Sequence, residues 1–561
     1  MKRALLSVTY IVLVASAAFA QRELGVRPTD TGGPLIFEQA VYDVQFYDVR
    51  LKVDPAKKWI TGTSTMNAKV VIPTNVVVLD LDTPYTVSRV YFNPTIYDKK
   101  DLKFERRGNK IWVWFPMTKQ VGENISVIVD YSGSPRVAPR APWVGGIMWE
   151  KTPSGADWIS VALQNDGADL LFPCKDHPSD KPAMAEMQIT VPDPLVAVGP
   201  GKLWGVKKNA DATTSYTWQM RNPISNYSMV FNAAPYKLIE DSVKSITGET
   251  IPIKFYILPE SFEKGAKLIE ETKKYNAFYE KYIGPFPFRS EKLGIAETPH
   301  LGMEHSTMLA YGNKFQYNAN GIDTLQLHEF GHEWWANLVT ASDWRDFWIH
   351  EGFQSFMDTL YLEELKGKEA YLTAMKNRAR GFKNKQPVAP REPKIAYQVY
   401  MSEPEYLNSD GDIYGKGAYF LHTLRYLIGD EKFFKALRHM AYPTKEMELL
   451  TDGRQTRLVN TDDFLTIAEA DSGMKLDWLF EMYLRQPKLP KLVVAAPADC
   501  AVNCPLLLRW ETPNNMPFPM PVDVEIDGKI QRVEMPDGKG TVTYSGRPPV
   551  VDPKGWVLKA Q

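Results

Sequence analysis

The spacing of apolar and polar residues divides the chain into three regions. Between residues 41 and 239, short alternating or β-branched runs such as Ile-Trp-Val-Trp-Phe (111–115) recur between Pro, Gly and Asn clusters, a pattern typical of β-strands. From residue 262 the spacing becomes helical, with a first helix predicted over 262–283 and helical patterns dominating to about residue 484. Short strand-like runs return at 492–495, 506–510 and 522–526, after a linker marked by Pro487 and Pro490.

These patterns predict an α+β multidomain protein. We expect an N-terminal all-β domain of saddle or sandwich type over residues 21–245, a mainly α domain over 246–487 and a small C-terminal β-sandwich over 488–561. The length of 561 residues agrees, because a chain of this size exceeds what one hydrophobic core supports.

The first twenty residues predict a secretory signal peptide. Lys2 and Arg3 precede an uncharged stretch (4–19), and Ala18-Phe19-Ala20 forms a small-x-small cleavage site ahead of Gln21. No later apolar run approaches the ~20 residues that span a bilayer. We therefore expect an exported protein, periplasmic or extracellular, with no membrane span after signal cleavage.

Charge and cysteine content limit the classes of partner and of fold that the chain is expected to have. The chain has 66 Lys+Arg against 67 Asp+Glu, a formal net charge of −1, which gives no electrostatic reason to expect nucleic acid as a partner. Only three cysteines are present, which excludes a disulfide scaffold. Cys500 and Cys504 are candidates for a small-loop disulfide, and Cys174 is expected to be a buried thiol. The sequence predicts no oligomeric state.

The strongest chemical signal is Leu327-His-Glu-Phe-Gly-His-Glu-Trp-Trp. His328 and His332 are four residues apart, so on a helix they share one face and can bind a single metal ion. Glu329 projects beside them, where it can act as a general base. The neighbouring apolar residues predict that this helix is buried and continues through Leu338.

A third ligand follows after a gap of eighteen residues. Glu351, in Trp348-Ile-His-Glu-Gly-Phe, opens a second amphipathic helix and would sit near its N-terminus. Two imidazoles, one carboxylate and an open position are typical of a catalytic rather than a structural zinc site. The sequence therefore predicts one Zn²⁺ per chain, bound by His328, His332 and Glu351.

Four further segments extend this pattern. Leu301-Gly-Met-Glu-His lies upstream of the histidines and Ile413-Tyr-Gly-Lys-Gly-Ala lies downstream, while Gly284-Pro-Phe-Pro-Phe and Phe172-Pro-Cys-Lys-Asp occur earlier in the chain. In this order they resemble the aminopeptidase N family of zinc metallopeptidases, which includes the leukotriene hydrolases. The resemblance covers most of the chain.

The resemblance implies a fold and a set of roles. The mainly α domain would be a thermolysin-like catalytic domain, in a short bacterial form without the large C-terminal helical domain of many relatives. Glu329 would be the general base and Tyr414 the group that stabilises the oxyanion. Glu304 and Gln164 would bind the free amino group of a peptide substrate. The remaining substrate-segment residues would be Gly302, Met303 and His305.

The chain departs from the family pattern at several positions. Leu301 stands where the family has Gly, and His305 and His350 each replace an Asn. The spacing between Gln164 and Phe172 is shorter than in better-known members.

The predicted activity is removal of N-terminal residues from peptides. A zinc endopeptidase and an epoxide hydrolase remain as alternatives, and Glu304 argues for the exopeptidase instead. A non-catalytic binding module is the third alternative, and the presence of all zinc ligands and of the base argues against it.

Overall fold

The computed structural model describes residues 29–95, 98–400, 411–498 and 500–560, and its first region is formed almost entirely by strands. The predicted signal peptide, residues 1–20, lies outside the described residues. After a short helix α1 (Phe37–Ala40), the strands are β1 (Tyr42–Asp54), β2 (Trp59–Val70), β3 (Thr74–Asp80), β4 (Tyr85–Thr95), β5 (Asp98–Asp101), β6 (Lys103–Arg107), β7 (Lys110–Lys119), β8 (Asn124–Gly133), β9 (Gly146–Lys151), β10 (Asp157–Ala162), β11 (Met184–Pro192), β12 (Val196–Val198), β13 (Lys202–Lys208), β14 (Thr213–Met220) and β15 (Asn232–Ala234).

Three sheets make up this region. The largest has the strand order β13-β14-β11-β1-β2-β8-β4-β5, and smaller sheets have the orders β12-β15-β10-β9 and β3-β7-β6. In β1 the buried positions change from even to odd numbers, from Val44 to Tyr47. A register shift against β2 between Val44 and Phe46 accounts for this change, because a bulge inserts one residue and restores the inward direction of the side chains that follow.

The second region combines one sheet with most of the helices. The elements are β16 (Lys237–Lys244), β17 (Thr250–Ile257), α2 (Phe262–Tyr282), β18 (Leu293–Glu297), β19 (Gly302–Met303), β20 (Leu309–Tyr311), α3 (Thr324–Gly331), β21 (Val339–Ala341), α4 (Trp348–Lys366), α5 (Lys368–Arg378), α6 (Ala396–Tyr400), α7 (Asp412–Ile428), α8 (Asp430–Ala441), α9 (Lys445–Leu449), β22 (Arg457–Val459), α10 (Thr461–Ser472) and α11 (Asp477–Phe480).

The sheet of this region has the order β16-β17-β18-β20-β19, which leaves β19 at one edge. It begins at Lys237, ahead of the predicted boundary at residue 246, because β16 pairs with β17 along its whole length. The first helix, α2, agrees with the predicted span to within one residue. The edge strand β19 pairs antiparallel with β20 through Gly302 and Met303, and so places the segment that contains Glu304 beside α3.

One helix prediction was wrong. The helix predicted to run through Leu338 ends at Gly331, and a π-type segment, Glu333–Leu338, follows with a break at Trp335. The Asn337 amide donates to the His332 carbonyl at 3.0 Å, five residues back. Apolar periodicity continues through this segment because Trp334, Trp335 and Leu338 are all buried, so the pattern does not reveal the break.

The C-terminal region forms two three-stranded sheets. Its strands are β23 (Lys491–Ala495), β24 (Cys504–Glu511), β25 (Val522–Ile526), β26 (Lys529–Val533), β27 (Lys539–Tyr544) and β28 (Val550–Val551), arranged as β23-β24-β27 and β26-β25-β28. Cys500 and Cys504 are disulfide-bonded, and Cys174 is a buried free thiol. These sheets, the helical middle region and the N-terminal β region confirm the predicted fold class. In the described part of the chain, no helix has the length and apolarity needed to cross a membrane.

Candidate active site

Helix α3 places two histidines against one glutamate of α4. The Asp323 side chain caps α3 by accepting the Gln326 amide at 3.1 Å, which fixes the start of the helix. His328 Nε2 and His332 Nε2 then lie 3.2 Å apart, and each lies 3.4 Å from Glu351 Oε2. Three ligand-type atoms therefore converge on one point, as predicted from the spacing of the sequence.

Contacts on the far side of each imidazole set its tautomer. His328 Nδ1 lies 2.9 Å from Asp358 Oδ2, and His332 Nδ1 lies 2.8 Å from the Trp335 carbonyl oxygen. Both partners accept, so each Nδ1 carries the proton and each Nε2 presents a lone pair to the shared point. The break at Trp335 has a function here, because it turns that carbonyl toward His332.

The donor set fits a zinc ion. Glu351 Oε2 is buried and makes no hydrogen bond within the described part of the chain, although it faces both imidazoles. A buried carboxylate oxygen without a donor is costly unless a cation neutralises it. Two imidazole nitrogens and one carboxylate oxygen are the ligand types of catalytic zinc. His328, His332 and Glu351 would therefore hold Zn²⁺.

The electrostatics of the cluster favour a cation. Burial opposes ionisation of Glu351, yet the two imidazoles outweigh it and hold the pKa of Glu351 below its usual range. Burial also opposes protonation of His332, but Glu351 and Glu304 raise its pKa to about 9. Protons and metal ions compete for the same lone pairs, so a site that attracts protons in this way also attracts a dication.

Glu329 lies next to the ligands without being one of them. Ligand-type atoms of Glu304, Glu329 and His332 lie within 4.8 Å of one another. Burial, with Glu304 and Glu351 nearby, raises the pKa of Glu329 to about 8 against the opposing effect of the imidazoles. A carboxylate with a pKa near neutrality is suited to accept and return a proton.

Another wall of the cavity is formed by Glu304 and the residues that hydrogen-bond to it. Glu304 follows β19 and is only 2% exposed. Tyr227 OH donates to Glu304 Oε1 at 3.0 Å, and Gln164 Nε2 donates to the same oxygen. Asn337 Nδ2 donates to the Glu304 backbone oxygen at 3.0 Å. The structure thus brings Gln164, whose spacing to Phe172 departs from the family pattern, directly to Glu304.

Tyr414 reaches the same cavity from helix α7. Its ring centroid lies 6.1 Å from that of His328. Burial and the nearby Glu351 raise the pKa of Tyr414 well above its usual value, so its hydroxyl remains a neutral donor. Helix α7 approaches α4 closely because Gly352 and Gly417 face each other. A Cβ atom added to Gly417 would lie 3.0 Å from the Gly352 Cα.

The remaining predicted residues occupy different places. Gly302 and Met303 line the cavity, whereas His305 is fully buried and lies outside its lining. His350 is not part of the ligand cluster, and its Nε2 accepts the Ala341 amide at 3.0 Å instead. Sequence reasoning missed Tyr227, Asn337 and Asp358. Of these three, only Asp358 could have been found from the sequence, because it lies two helical turns beyond Glu351 on the same face of α4.

The cavity itself is small. It has a volume of about 200 Å³, and its lining residues are Pro142, Trp143, Gln164, Asn165, Leu301, Gly302, Met303, Glu304, Leu325, His328, Glu329, His332, Glu351, Tyr400 and Tyr414. A helix-borne histidine pair, a glutamate from the next helix and an adjacent carboxylate base define the class of zinc-centred hydrolases.

Two family models match most of the described chain. The peptidase M1 N-terminal domain matches residues 44–228 and the peptidase family M1 domain matches residues 260–483. The chain belongs to the peptidase M1 family. This confirms the resemblance drawn from its motifs.

Individual relatives are more distant. Probable aminopeptidase 1 from Saccharolobus solfataricus is 23% identical over 60% of this chain and 42% of its own length. Glutamyl aminopeptidase from Homo sapiens is 26% identical over 60% of this chain and 35% of its own length. The chain thus spans less than half the length of these two curated relatives.

Solved structures share the fold. The M1 zinc metallopeptidase from Deinococcus radiodurans superposes with a TM-score of 0.61 at 22% identity, covering 82% of this chain and 96% of that one. A variant of that protein bound to a Tyr-Ser-Ala substrate superposes with a TM-score of 0.63, also at 22% identity, covering 80% of this chain and 95% of that one.

Proposed function

We propose that this chain is a zinc-dependent aminopeptidase that hydrolyses the N-terminal peptide bond of peptides. The carboxylate of Glu304, buried in the wall of the metal cavity, carries this proposal. Its hydrogen bonds come from the neutral groups of Tyr227 and Gln164, and no Lys or Arg is among the described residues that line the cavity. A buried carboxylate needs a cationic partner, and the ammonium group at a peptide's N-terminus supplies one.

The size of the cavity supports an exopeptidase. A volume of about 200 Å³ is below the roughly 300–1,000 Å³ of most ligand clefts, and suits one terminal residue better than an internal stretch of peptide. The curated relatives named as aminopeptidases support the same activity.

The chain's own residues would divide the reaction between them. When bound, zinc supplies a Lewis acid and lowers the pKa of a water molecule to about 7. Glu304 accepts hydrogen bonds from the substrate ammonium and thereby sets which peptide bond lies beside Glu329. Glu329 accepts the proton of the attacking water and returns it to the leaving amine nitrogen. The Tyr414 hydroxyl donates a hydrogen bond to the oxyanion of the tetrahedral intermediate.

Paired substrates test this proposal. Zinc-loaded protein is assayed with amino-acid p-nitroanilides and with their N-acetylated counterparts, with and without chelator. We expect chelator-sensitive release of nitroaniline from the free-amine series alone. Cleavage of blocked substrates at a similar rate would show an endopeptidase instead. Epoxide hydrolysis without amide hydrolysis would show the second alternative.

The variant Glu304→Gln tests the amine site. Removing one partner of a buried ion pair costs about 3–5 kcal/mol, a factor of about 10²–10⁴. We expect kcat/KM for free-amine substrates to fall by that factor while zinc content, measured by mass spectrometry, stays at one per chain. If this variant keeps the parent's kcat/KM for those substrates, Glu304 does not bind the substrate ammonium.

We also propose export, with the mature chain starting near Gln21. The charged start, the uncharged stretch and the Ala18-Phe19-Ala20 site support it. The Cys500–Cys504 disulfide is also in keeping with an oxidising compartment. N-terminal sequencing of protein from a periplasmic or extracellular fraction should begin at Gln21, and an intact Met1 in the cytoplasm would refute export.

A further inference from the structure

A small, partly open cavity lies next to the zinc cavity and is lined mostly by the N-terminal region. Its volume is about 20 Å³, enough for one water molecule or one ion. Gln164 and Asn165 line both this cavity and the zinc cavity. Tyr227 also lines it and donates a hydrogen bond to Glu304. Neither the proposed activity nor the zinc ligands use this cavity.

Two carboxylates meet around a single hydroxyl. Thr31 and Asp176 line the cavity, and Asp169 contacts the Thr31 hydroxyl without lining the cavity itself. Thr31 Oγ1 lies 3.0 Å from Asp169 Oδ1 and 2.5 Å from Asp176 Oδ2. A Cβ atom added to Gly167 would lie no farther than 2.6 Å from all three of these oxygens, so they converge where Gly167 has no side chain. A hydroxyl has only one hydrogen and can donate to only one of the two carboxylates.

The ion pairs around these two carboxylates are formed by other residues. Asp80 pairs with Lys110 at 2.6 Å and Asp82 pairs with Arg136 at 2.7 Å. Asp169 and Asp176 form no ion pair with any described residue. Asp169 is 1% exposed and Asp176 is partly buried, and two carboxylates side by side repel each other unless a proton or a cation lies between them.

Three residues that line the cavity carry side-chain oxygens without hydrogen-bond partners in the described chain. Asn226 Nδ2 donates to the Lys175 carbonyl at 2.8 Å, and Asn165 Nδ2 donates to the Trp143 carbonyl at 3.2 Å. These bonds fix the orientation of both amides and leave each Oδ1 as the free atom. Neither Oδ1 has a hydrogen-bond partner within the described chain, nor does Ser225 Oγ, and all three residues are at least 94% buried.

We propose that a calcium ion binds at the edge of this cavity beside Gly167, with Asp169 and Asp176 as its charged ligands. Thr31, Asn165, Asn226 and Ser225 supply further oxygens. Ca²⁺ takes six to eight oxygen ligands at about 2.3–2.6 Å from carboxylates, amide carbonyls and hydroxyls, and two carboxylates match its charge. Mg²⁺ fits poorly, since it requires a tighter octahedron and retains its waters.

Metal content and thermal unfolding of the zinc-loaded full chain test the proposal at pH 8. Both readouts are independent of peptidase activity, so their outcome is separate from that of the proposed function. After passage over a chelating resin, zinc is restored and Ca²⁺ is titrated in. We expect one bound Ca²⁺ per chain beside the zinc. At a calcium concentration about 100 times Kd, the Tm should rise by about 5–10 °C.

The variant Asp176→Asn separates a cation from a shared proton. If calcium binds here, the variant loses both the bound Ca²⁺ and the calcium-dependent rise in Tm while keeping its zinc. Asp157→Asn, at an exposed carboxylate of β10, serves as the matched control and should keep both. Three results would overturn the proposal: no Ca²⁺ retained by the parent, an equal rise in Tm with Mg²⁺, or an unchanged calcium response in Asp176→Asn.

Discussion

The contact between Gly352 on α4 and Gly417 on α7 decides how near Tyr414 comes to the metal ligands. A Cβ atom at Gly417 would lie 3.0 Å from the Gly352 Cα and 3.5 Å from the Trp348 ring. The first of these neighbours is backbone, which cannot rotate away. We therefore expect Gly417→Ala to push the two helices apart by about 0.5 Å, because interiors are close-packed.

Two opposing effects set the stability of this variant. Replacing Gly by Ala inside a helix contributes about 1 kcal/mol, whereas overpacking costs about 1–3 kcal/mol. The net expectation is a loss of about 1 kcal/mol, which lowers Tm by about 2–4 °C. A displacement of 1 Å at a catalytic group costs about 10²-fold, so half of that displacement at Tyr414 should lower kcat by about tenfold.

Gly415→Ala, in the same helix, is the matched control. A Cβ atom there would lie 3.0 Å from the Phe382 ring, a partly buried side chain that can move aside. The same gain in helix propensity should then keep or raise Tm and leave kcat near the parent's. Unfolding scans and steady-state rates on zinc-loaded protein check both variants. If Gly417→Ala matches Gly415→Ala in both measurements, close helix approach does not position Tyr414.

Three further predictions address single contacts. Asp358→Asn should weaken zinc binding by about 10–100-fold in chelator competition, because Asp358 orients His328; an unchanged affinity would contradict this role. Tyr414→Phe should lower kcat by about 10²–10³ at constant zinc content, and full kcat would refute oxyanion stabilisation. Burial lowers the pKa of His422 to about 3, whereas the pKa of an unfolded His is about 6.5. The free energy of unfolding should therefore fall as the pH drops below 6.5, by about 2 kcal/mol at pH 5. The Tm of His422→Gln should therefore fall less than the parent's between pH 7 and pH 5, and parallel curves would exclude the effect.

The candidate metal ligands could be predicted because their geometry is local. His328 and His332 are one helical turn apart, so their spacing alone places both imidazoles on one face. The prediction of Glu351 as a ligand required only the assumption that the next helix packs against the first. Glu304 and Gln164, the residues proposed to bind the substrate amine, were predicted from family resemblance. No local rule brings residues 140 positions apart together at one oxygen atom.

Other features could not be predicted from the sequence, for identifiable physical reasons. The break at Trp335 is hidden because the apolar pattern continues through it, and the carbonyl that orients His332 has no signature in a side chain. Tyr227 and Asn337 look like ordinary buried residues until the chain brings them to Glu304. The facing glycines at 352 and 417 have no sequence signal for proximity, since helix–helix approach depends on the whole packing of the second region.

The amino-acid sequence by itself determined the three-part organisation, the α+β class and the candidate zinc ligands, because periodicity and short spacing act over a few residues. Only the tertiary structure decided which side chains support the ligands, how deeply Glu304 is buried and which carboxylates remain without a cation. Those properties depend on burial and on distances between residues far apart in the chain. Asp169 and Asp176 illustrate the difference, since their common hydroxyl belongs to Thr31, 138 and 145 residues away.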